Sequence, residues 1–469
     1  MPCGGFEKDK RIKMSVLSSK NVNMTEGKIL PSVIKYAMPI VFGGILQILF
    51  NSADLAVVGN FSQSKTTAAA AVGATGAFIS LIVNFCIGFS TGVNVVLARS
   101  IGGGDDEKTR KTVHTSLIAA LIFGFIVLAA GCATSDIAMT LTDCPAASHD
   151  MAVSYLIIYF LGAPGIMLYN FGAAILRSKG DTQRPLNFLI VAGVANVILN
   201  LIFVAGFKME AAGVALATTL TQYLAAFLTL RCLANQNDAV RLDFKLLKIS
   251  RTELFEVLKY GFPNGMANVM FSISNLQIQS AINSYGEAAV NGNAAMSSIE
   301  GFLMSGCSGF NATAVAFVGQ NLGAGKKDRV RKSIFAIIGS AVTYTVLLGY
   351  TMFAFAEPLL KIFNASDPEV IRYGIMRGSI MMRFYFEWGL SNALAGALHA
   401  FGRSNLVMTN SFLSICVFRV IWMNFIYPSN RTFKMIYWCY PISMGITITV
   451  YLVGLYLVVR KYRKYGVFK

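Results

Sequence analysis

Twelve long apolar blocks, separated by short polar stretches, run the length of the chain: 29–59, 68–98, 110–133, 147–176, 185–207, 211–234, 254–284, 287–320, 330–356, 369–400, 404–427 and 434–459. Each reaches the roughly 20 residues that a helix needs to cross the hydrocarbon core of a bilayer. Apolar positions within a block are continuous, whereas a membrane β-barrel would alternate them. Lipid offers no partner to a backbone amide, so continuous blocks must satisfy themselves as helices. The pattern predicts an all-α polytopic membrane protein with 12 transmembrane helices.

Between the blocks, basic residues are distributed unequally. The tails and loops that share one side of the membrane hold 31 Lys and Arg, and the other side holds six: Lys65, Lys208, Lys361, Arg372, Arg431 and Lys434. Basic loops stay in the cytoplasm, so both termini are expected there. The first 28 residues carry Lys8, Lys10, Arg11, Lys13 and Lys20 but no apolar core. A cleavable signal peptide is not expected, and the first block serves as the insertion signal.

The two halves of the chain resemble each other. Tyr36-Ala-Met-Pro39 opens the first block and Tyr260-Gly-Phe-Pro263 the seventh. Gly88–Lys111 aligns without gaps to Gly309–Lys332 with six identities, Gly88, Phe89, Gly102, Gly104, Arg110 and Lys111 matching their partners. Leu176–Gly180 pairs with Leu398–Gly402. Three anchors in the same order mark an internal duplication. Each copy has an even number of spans, so both enter the membrane in the same direction, related by an axis along the membrane normal with a cavity between them. The expected organisation is a cytoplasmic tail (1–28), an N-terminal six-helix lobe (29–234), a cytoplasmic linker (235–252), a C-terminal six-helix lobe (253–460) and a second tail (461–469).

Composition agrees with burial in lipid. Of the 469 residues 55% are hydrophobic and 13% charged, against about 25% charged in a soluble domain. The net charge of +17 would suit nucleic acid, but binding there needs clustered basic residues, and these are spread between spans. No nucleic-acid partner is expected, and the surrounding partner of the spans is membrane lipid. The eight cysteines form no C-x-x-C pair or zinc spacing, and the histidines (His114, His149, His399) are widely separated. Gly323-Ala-Gly-Lys-Lys327 lacks the leading Gly and the Ser/Thr of a phosphate-binding loop. Neither ATP hydrolysis, nor a metal centre, nor any cofactor is expected.

Six charged residues are assigned to the membrane interior, where each costs about 2.5–3.5 kcal/mol to insert, rather than to span ends and loops: Asp54, Glu300, Arg377, Arg383, Glu387 and Arg419. Gln47 and Asn51 precede Asp54 by seven and three residues and share its helix face. Together they offer oxygen ligands to a hard cation or a proton; the plainer reading of Asp54 is an interfacial carboxylate. Glu300 has no evident local partner, and either contacts a cation or sits protonated against a neighbouring helix. Arg383 and Glu387 are one turn apart and can pair, in a structural or a substrate role. Arg377 and Arg419 are expected to snorkel to an interface.

Among neutral residues, Asn196 and Asn200 form an i, i+4 pair in the fifth span, with Tyr155 and Asn170 in the fourth and Thr218 in the sixth. Such groups also hydrogen-bond between helices with no further role. Pro39 removes a backbone hydrogen bond and permits a hinge in the first span.

These residues resemble the multidrug and toxic compound extrusion (MATE) transporters of bacterial type, within the larger flippase superfamily. The resemblance runs from about Met24 to Arg463 and is carried by MTEGKILPSVIKYAMPIVFGGILQILFNSADLAVVG, the loop IGGG with its repeat NLGAG, and ILRSKGD after the fourth span. It implies two six-helix lobes forming a V in a bacterial cytoplasmic membrane, and drug export driven by inward flow of H⁺ or Na⁺. Pro39, Gln47 and Asp54 match the family's bending proline, glutamine and cation-binding aspartate. Tyr155, Asn170, Asn196 and Thr218 match the polar pocket of the N-terminal lobe. Where several members place a second Asp, this chain has Asn200, and Phe271 stands near the position of a glutamate found in others. Drug contacts are expected from aromatic and Met side chains in the cleft, with Phe42, Phe50, Met266, Met270 and Phe271 available beside Glu300, Arg383 and Glu387. A flippase for lipid-linked saccharides would share the lobes but need clustered cations, for which Arg377 and Arg383 are the candidates. A membrane-embedded enzyme would need an acid/base or metal cluster.

Overall fold

The computed structural model describes residues 21–142, 144–362 and 367–465, so most of the expected N-terminal tail, Cys3 and the last four residues lie outside the described residues. Every long element is a helix: α1 (Ile29–Phe61), α2 (Lys65–Gly103), α3 (Asp106–Leu141), α4 (Ala146–Leu161), α5 (Ala163–Lys179), α6 (Gln183–Asn200), α7 (Glu210–Ala234), α8 (Arg251–Asn283), α9 (Glu287–Gly323), α10 (Lys327–Ala354), α11 (Ala356–Ile362), α12 (Pro368–Met381), α13 (Tyr385–Ala400), α14 (Ser404–Ser411), α15 (Phe418–Ile421) and α16 (Phe433–Tyr465). Among the described residues nine helices are long and apolar enough to cross a membrane, and α4 with α5 makes a tenth span bent by 44°. The bend falls at Gly162, just before Pro164, which has no amide to continue the ladder. The remaining two of the twelve spans are α8 and the α12–α13 pair, whose side chains include many amides and charges.

Among the described residues two spans contain π-helical turns. α6 passes after Asn200 into a π-helical stretch, Leu201–Gly206, and the eleventh span, α14 to α15, contains two, Phe412–Val417 and Trp422–Ile426. Wide turns of this kind re-aim side chains and recur at functional sites.

The internal repeat is visible in the backbone. Gly104 and Gly325, paired by the alignment, end α2 and the α9 turn at φ 69° and 68°, and Gly180 and Gly402 close α5 and α13 at 102° and 71°. These are left-handed caps that only glycine adopts without strain. In the N-terminal half α5 packs on α2, α3 and α7, and α6 on α1 and α7; in the C-terminal half α13 packs on α9, α10 and α16. The halves meet where α2 lies against α8 and α9, and α1 against α9.

The contact is tightest at the end that carries the termini. Arg99 of α2 donates from Nε and Nη2 to the Ala400 carbonyl at 2.9 and 2.5 Å, and Gln320 of α9 donates to the Ser178 carbonyl at 2.6 Å. Lys108 of α3 forms a 2.9 Å ion pair with Glu256 of α8. The segment before α1 straps this end: Val22 bonds the Gly180 carbonyl at 3.0 Å, and Asn321 donates to Met24 at 3.0 Å. Arg329 spreads its guanidinium over the carbonyls of Met24, Gly27 and Glu26 at 3.0, 2.8 and 2.6 Å.

Candidate functional site in the N-terminal lobe and the inter-lobe cavity

Asp54 lies on α1 in the half remote from the termini, half-buried where α1 meets α6. The approach depends on Gly193, because a Cβ there would fall 1.9 Å from Cε2 of Phe50. Phe50 and Asp54 are one turn apart on α1, and Gly193 and Asn200 two turns apart on α6, so the gap at Gly193 sets the spacing at Asp54. Asn200 Nδ2 donates to Asp54 Oδ1 at 2.5 Å and to Asn196 Oδ1 at 3.2 Å. Asn196 in turn donates to Thr218 Oγ1 at 3.3 Å. The chain of amides thus ties α1, α6 and α7 to a single carboxylate. Asn200 is fully buried, and its own Oδ1 has no hydrogen-bond partner. An unused acceptor beside a carboxylate is what a small cation or an added proton requires.

Of the other residues expected in that group, Gln47, Asn51 and Asn170 lie elsewhere. Gln47 faces a cavity between the lobes, and Asn51 is exposed on α1. Asn170 donates to the Ile166 carbonyl at 2.9 Å and lines the same cavity. Tyr155 stays with Asp54: it is buried in the lobe core, stacked on Tyr159 with centroids 6.3 Å apart, and both rings are within electrostatic reach of the carboxylate. Pro39 also lines the cavity, and α1 runs unbroken through it.

The cavity encloses about 210 Å³ and is lined by amides from both lobes, Gln47, Asn94, Asn170 and Gln222 from one and Asn264, Asn268, Asn311 and Asn392 from the other, together with Tyr159, Tyr169 and Arg177. The aromatic and Met residues expected there, Phe42, Phe50, Met266, Met270 and Phe271, are not among those that line it. Phe42 is exposed, Phe50 packs at Gly193, and Phe271 makes an edge contact with Trp388 at 4.9 Å. On α8, Asn264 and Asn268 turn toward α2, donating to the carbonyls of Gly88 and Asn84 at 2.9 and 3.0 Å. Met266 and Met270 follow each by two residues, about 200° round the helix, and are half-buried.

The C-terminal lobe corrects three further expectations. Glu300 is not without a partner: Arg377 clasps both its oxygens, Nε at 3.0 Å and Nη2 at 2.5 Å, and Tyr385 donates to it at 2.9 Å. Arg377 also donates to Asn293 Oδ1, which receives Tyr437 at 2.8 Å. Neither Arg377 nor Arg419 snorkels: both are buried, Arg419 completely. Arg383 and Glu387 form no ion pair among the described residues. A 3₁₀ turn at Met382–Phe384 intervenes and breaks the one-turn register. Arg383 lies over the Phe353 ring at 5.5 Å, and Glu387 lines a small pocket with Trp388 and Tyr440, its Oε2 buried without a hydrogen-bond partner.

Asn264, Asn268 and Asn392 were not singled out from the sequence, although a signal existed. The register that pairs Leu176 with Leu398 also pairs Asn170 with Asn392, and both line the cavity.

The MatE family model matches twice, at residues 39–202 and 263–425, beginning at the paired Pro39 and Pro263. The chain is 26% identical over 403 residues to a probable multidrug resistance protein, YpnP, of Bacillus subtilis, covering 85% of this chain and 89% of that protein. It is 26% identical to the probable multidrug resistance protein NorM of Thermotoga maritima, covering 83% of each. An FAD transporter of Shewanella oneidensis is 25% identical over 80% of this chain and 82% of its own length. Among solved structures, an outward-facing multidrug resistance MATE family transporter of the MOP superfamily superposes with a TM-score of 0.86 at 19% identity, covering 95% of this chain and 99% of that one. With the matched segments spanning more than half of the chain and reproducing its own duplication, the protein belongs to the MatE family of membrane transporters.

Proposed function

We propose that the protein is a secondary antiporter that exports organic, often cationic, small molecules from a bacterium by alternating access of its two lobes. The observation that carries the reading is the half-buried carboxylate of Asp54, held by Asn200 beside an unused buried acceptor. The inward flow of H⁺ or Na⁺ drives export through this group: the ion occupies Asp54 from outside, and its release on the cytoplasmic side resets the lobes. Ion and drug must favour different lobe arrangements, because only differential affinity can couple the two flows. The inter-lobe cavity, with neutral amides from both lobes, is the drug path; amides accept and donate, which suits varied ligands. The termini and the locked end face the cytoplasm, on the basis of the basic loops there, and the chain works as a monomer. The cation cluster that a saccharide flippase would need is not assembled, since Arg377 is neutralised by Glu300 and Arg383 lies over Phe353. The test is Asp54→Asn in proteoliposomes: ethidium efflux driven by an imposed H⁺ or Na⁺ gradient should vanish, and efflux at the wild-type rate would refute the coupling role.

A further inference from the structure

Among the described residues, the C-terminal lobe buries a cation with no carboxylate in ion-pair contact. Arg419 lies on α15, between the two π-helical stretches of the eleventh span, and is fully buried. Its partners are all neutral. Nε donates to Ser443 Oγ at 3.2 Å, and Nη1 lies 3.4 Å from Asn275 Oδ1 and 3.5 Å from Ser274 Oγ. The guanidinium rests over the rings of Tyr440 and Phe271, at 4.2 and 5.5 Å. Nη2 is buried with no hydrogen-bond partner. Among the described residues no carboxylate comes within 4.0 Å of Arg419, and Glu300 is already committed to Arg377. Ring faces and neutral acceptors offset part of the cost of burying a charge, but an unpaired guanidinium edge is the strongest oxyanion donor a protein offers.

Its position connects it to the cavity. Asn264, Asn268, Phe271 and Asn275 fall on one face of α8 by their spacing, and the first two line the inter-lobe cavity. Phe271 and Asn275, both half-buried, continue that stripe toward the remote end, with Arg419 immediately behind them. The repeat adds a second argument. The register that pairs Leu176 with Leu398 sets Arg419 against Val197, next to Asn196. One lobe therefore uses this turn to hold a carboxylate, and the other fills it with a guanidinium.

We propose that Arg419 is an oxyanion site of the C-terminal lobe, taking the carboxylate or phosphate of a flat aromatic substrate that enters past Phe271 and meets the unpartnered Nη2 edge of the guanidinium. The proposal rests on the reading of the inter-lobe cleft as the transport path and extends the substrate class beyond cations. In this arrangement Phe271 is the door and Asn275 the neutral neighbour that leaves Arg419 free to receive an external anion.

The test measures fluorescence polarisation on the purified full-length protein in detergent, with two probes on the same xanthene ring: fluorescein, an anion, and rhodamine 6G, a cation. Wild type should bind both, and in Arg419→Gln the ratio of fluorescein to rhodamine 6G affinity should fall at least tenfold. Asn275→Asp places a carboxylate beside Nη1; it should raise the thermal-unfolding midpoint by neutralising Arg419 and abolish fluorescein binding. That variant decides the matter even if Arg419→Gln fails to fold. Unchanged fluorescein affinity in either folded variant overturns the proposal. Wild type that binds rhodamine 6G but not fluorescein also overturns it, whereas wild type that binds neither dye overturns the transport reading of the cleft.

Discussion

Arg99 and Gln320 occupy equivalent positions of the duplicated halves, and each donates across the lobe interface to the carbonyl of a residue that is again equivalent, Ala400 and Ser178. The two crossings form a pseudo-twofold lock at the end that carries the termini. Hydrogen bonds from a charged donor contribute about 1.5–3 kcal/mol and neutral ones about 1, so the lock is asymmetric. Arg99→Ala should release this end more than Gln320→Ala. Spin labels at the exposed, repeat-related Lys111 and Lys332, in a background with the native cysteines replaced, should show a longer-distance population growing in that order. Identical distance distributions in all three proteins would remove the lock from the mechanism.

The strap adds a second hold on the same end. Arg329 satisfies three carbonyls of the segment before α1, and Met24 is wholly buried beneath it. Arg329→Ala should free residues 22–27 without unfolding α1. Hydrogen exchange at these amides should accelerate at least tenfold while the middle of α1 keeps its protection; unchanged exchange would show that the strap is held by other contacts.

Asn200 is the partner on which Asp54 depends. Asn200→Ala leaves a carboxylate with its closest donor removed, a loss of about 1–3 kcal/mol, and gradient-driven dye efflux should drop more than tenfold. Thr218→Ala, two bonds further along the chain of amides, should keep most of it. Equal losses in the two variants would mean that Asp54 is held by the whole network and not by Asn200.

Gly193 tests whether helix approach positions that pair. An added methyl meets the Phe50 ring, which cannot yield as a flexible chain end would. Gly193→Ala should lower efflux and the unfolding midpoint together, and Phe50→Leu in the same protein should restore both. Failure of the second change to rescue would place the role of Gly193 elsewhere.

Glu300 and Arg377 make a structural pair in the C-terminal lobe. Glu300→Gln strands a buried guanidinium and should cost about 3–5 kcal/mol, whereas replacing both partners by Gln removes the charge and should recover most of that. The double variant should also retain efflux, measured in proteoliposomes. A stable but inactive double variant would return Glu300 to the list of transport residues.

Much of the architecture was legible in the chain because its causes are local. A span is a property of about 20 consecutive residues in lipid, and the duplication is a property of two stretches read side by side. Breaks inside spans were harder to read. The 3₁₀ turn at Met382–Phe384 carries no Gly or Pro, so Arg383 and Glu387 looked like a one-turn pair and are not one.

The sequence by itself determined the twelve spans, the repeat with its glycine caps, and Asp54 as a carboxylate that lipid would not carry without a partner. Only the tertiary structure decided which polar groups meet. It brought Asn200 to Asp54 and sent Gln47 and Asn170 to the cavity, gave Glu300 to Arg377, and left Arg419 buried among neutral groups. The physical reason is that apolar blocks say that a helix is buried in lipid or protein but not which face meets which neighbour. That choice is made by close approach at positions such as Gly193 and by the requirement that each buried donor find an acceptor, and both depend on residues far apart in the chain, as Asp54 and Asn200 are.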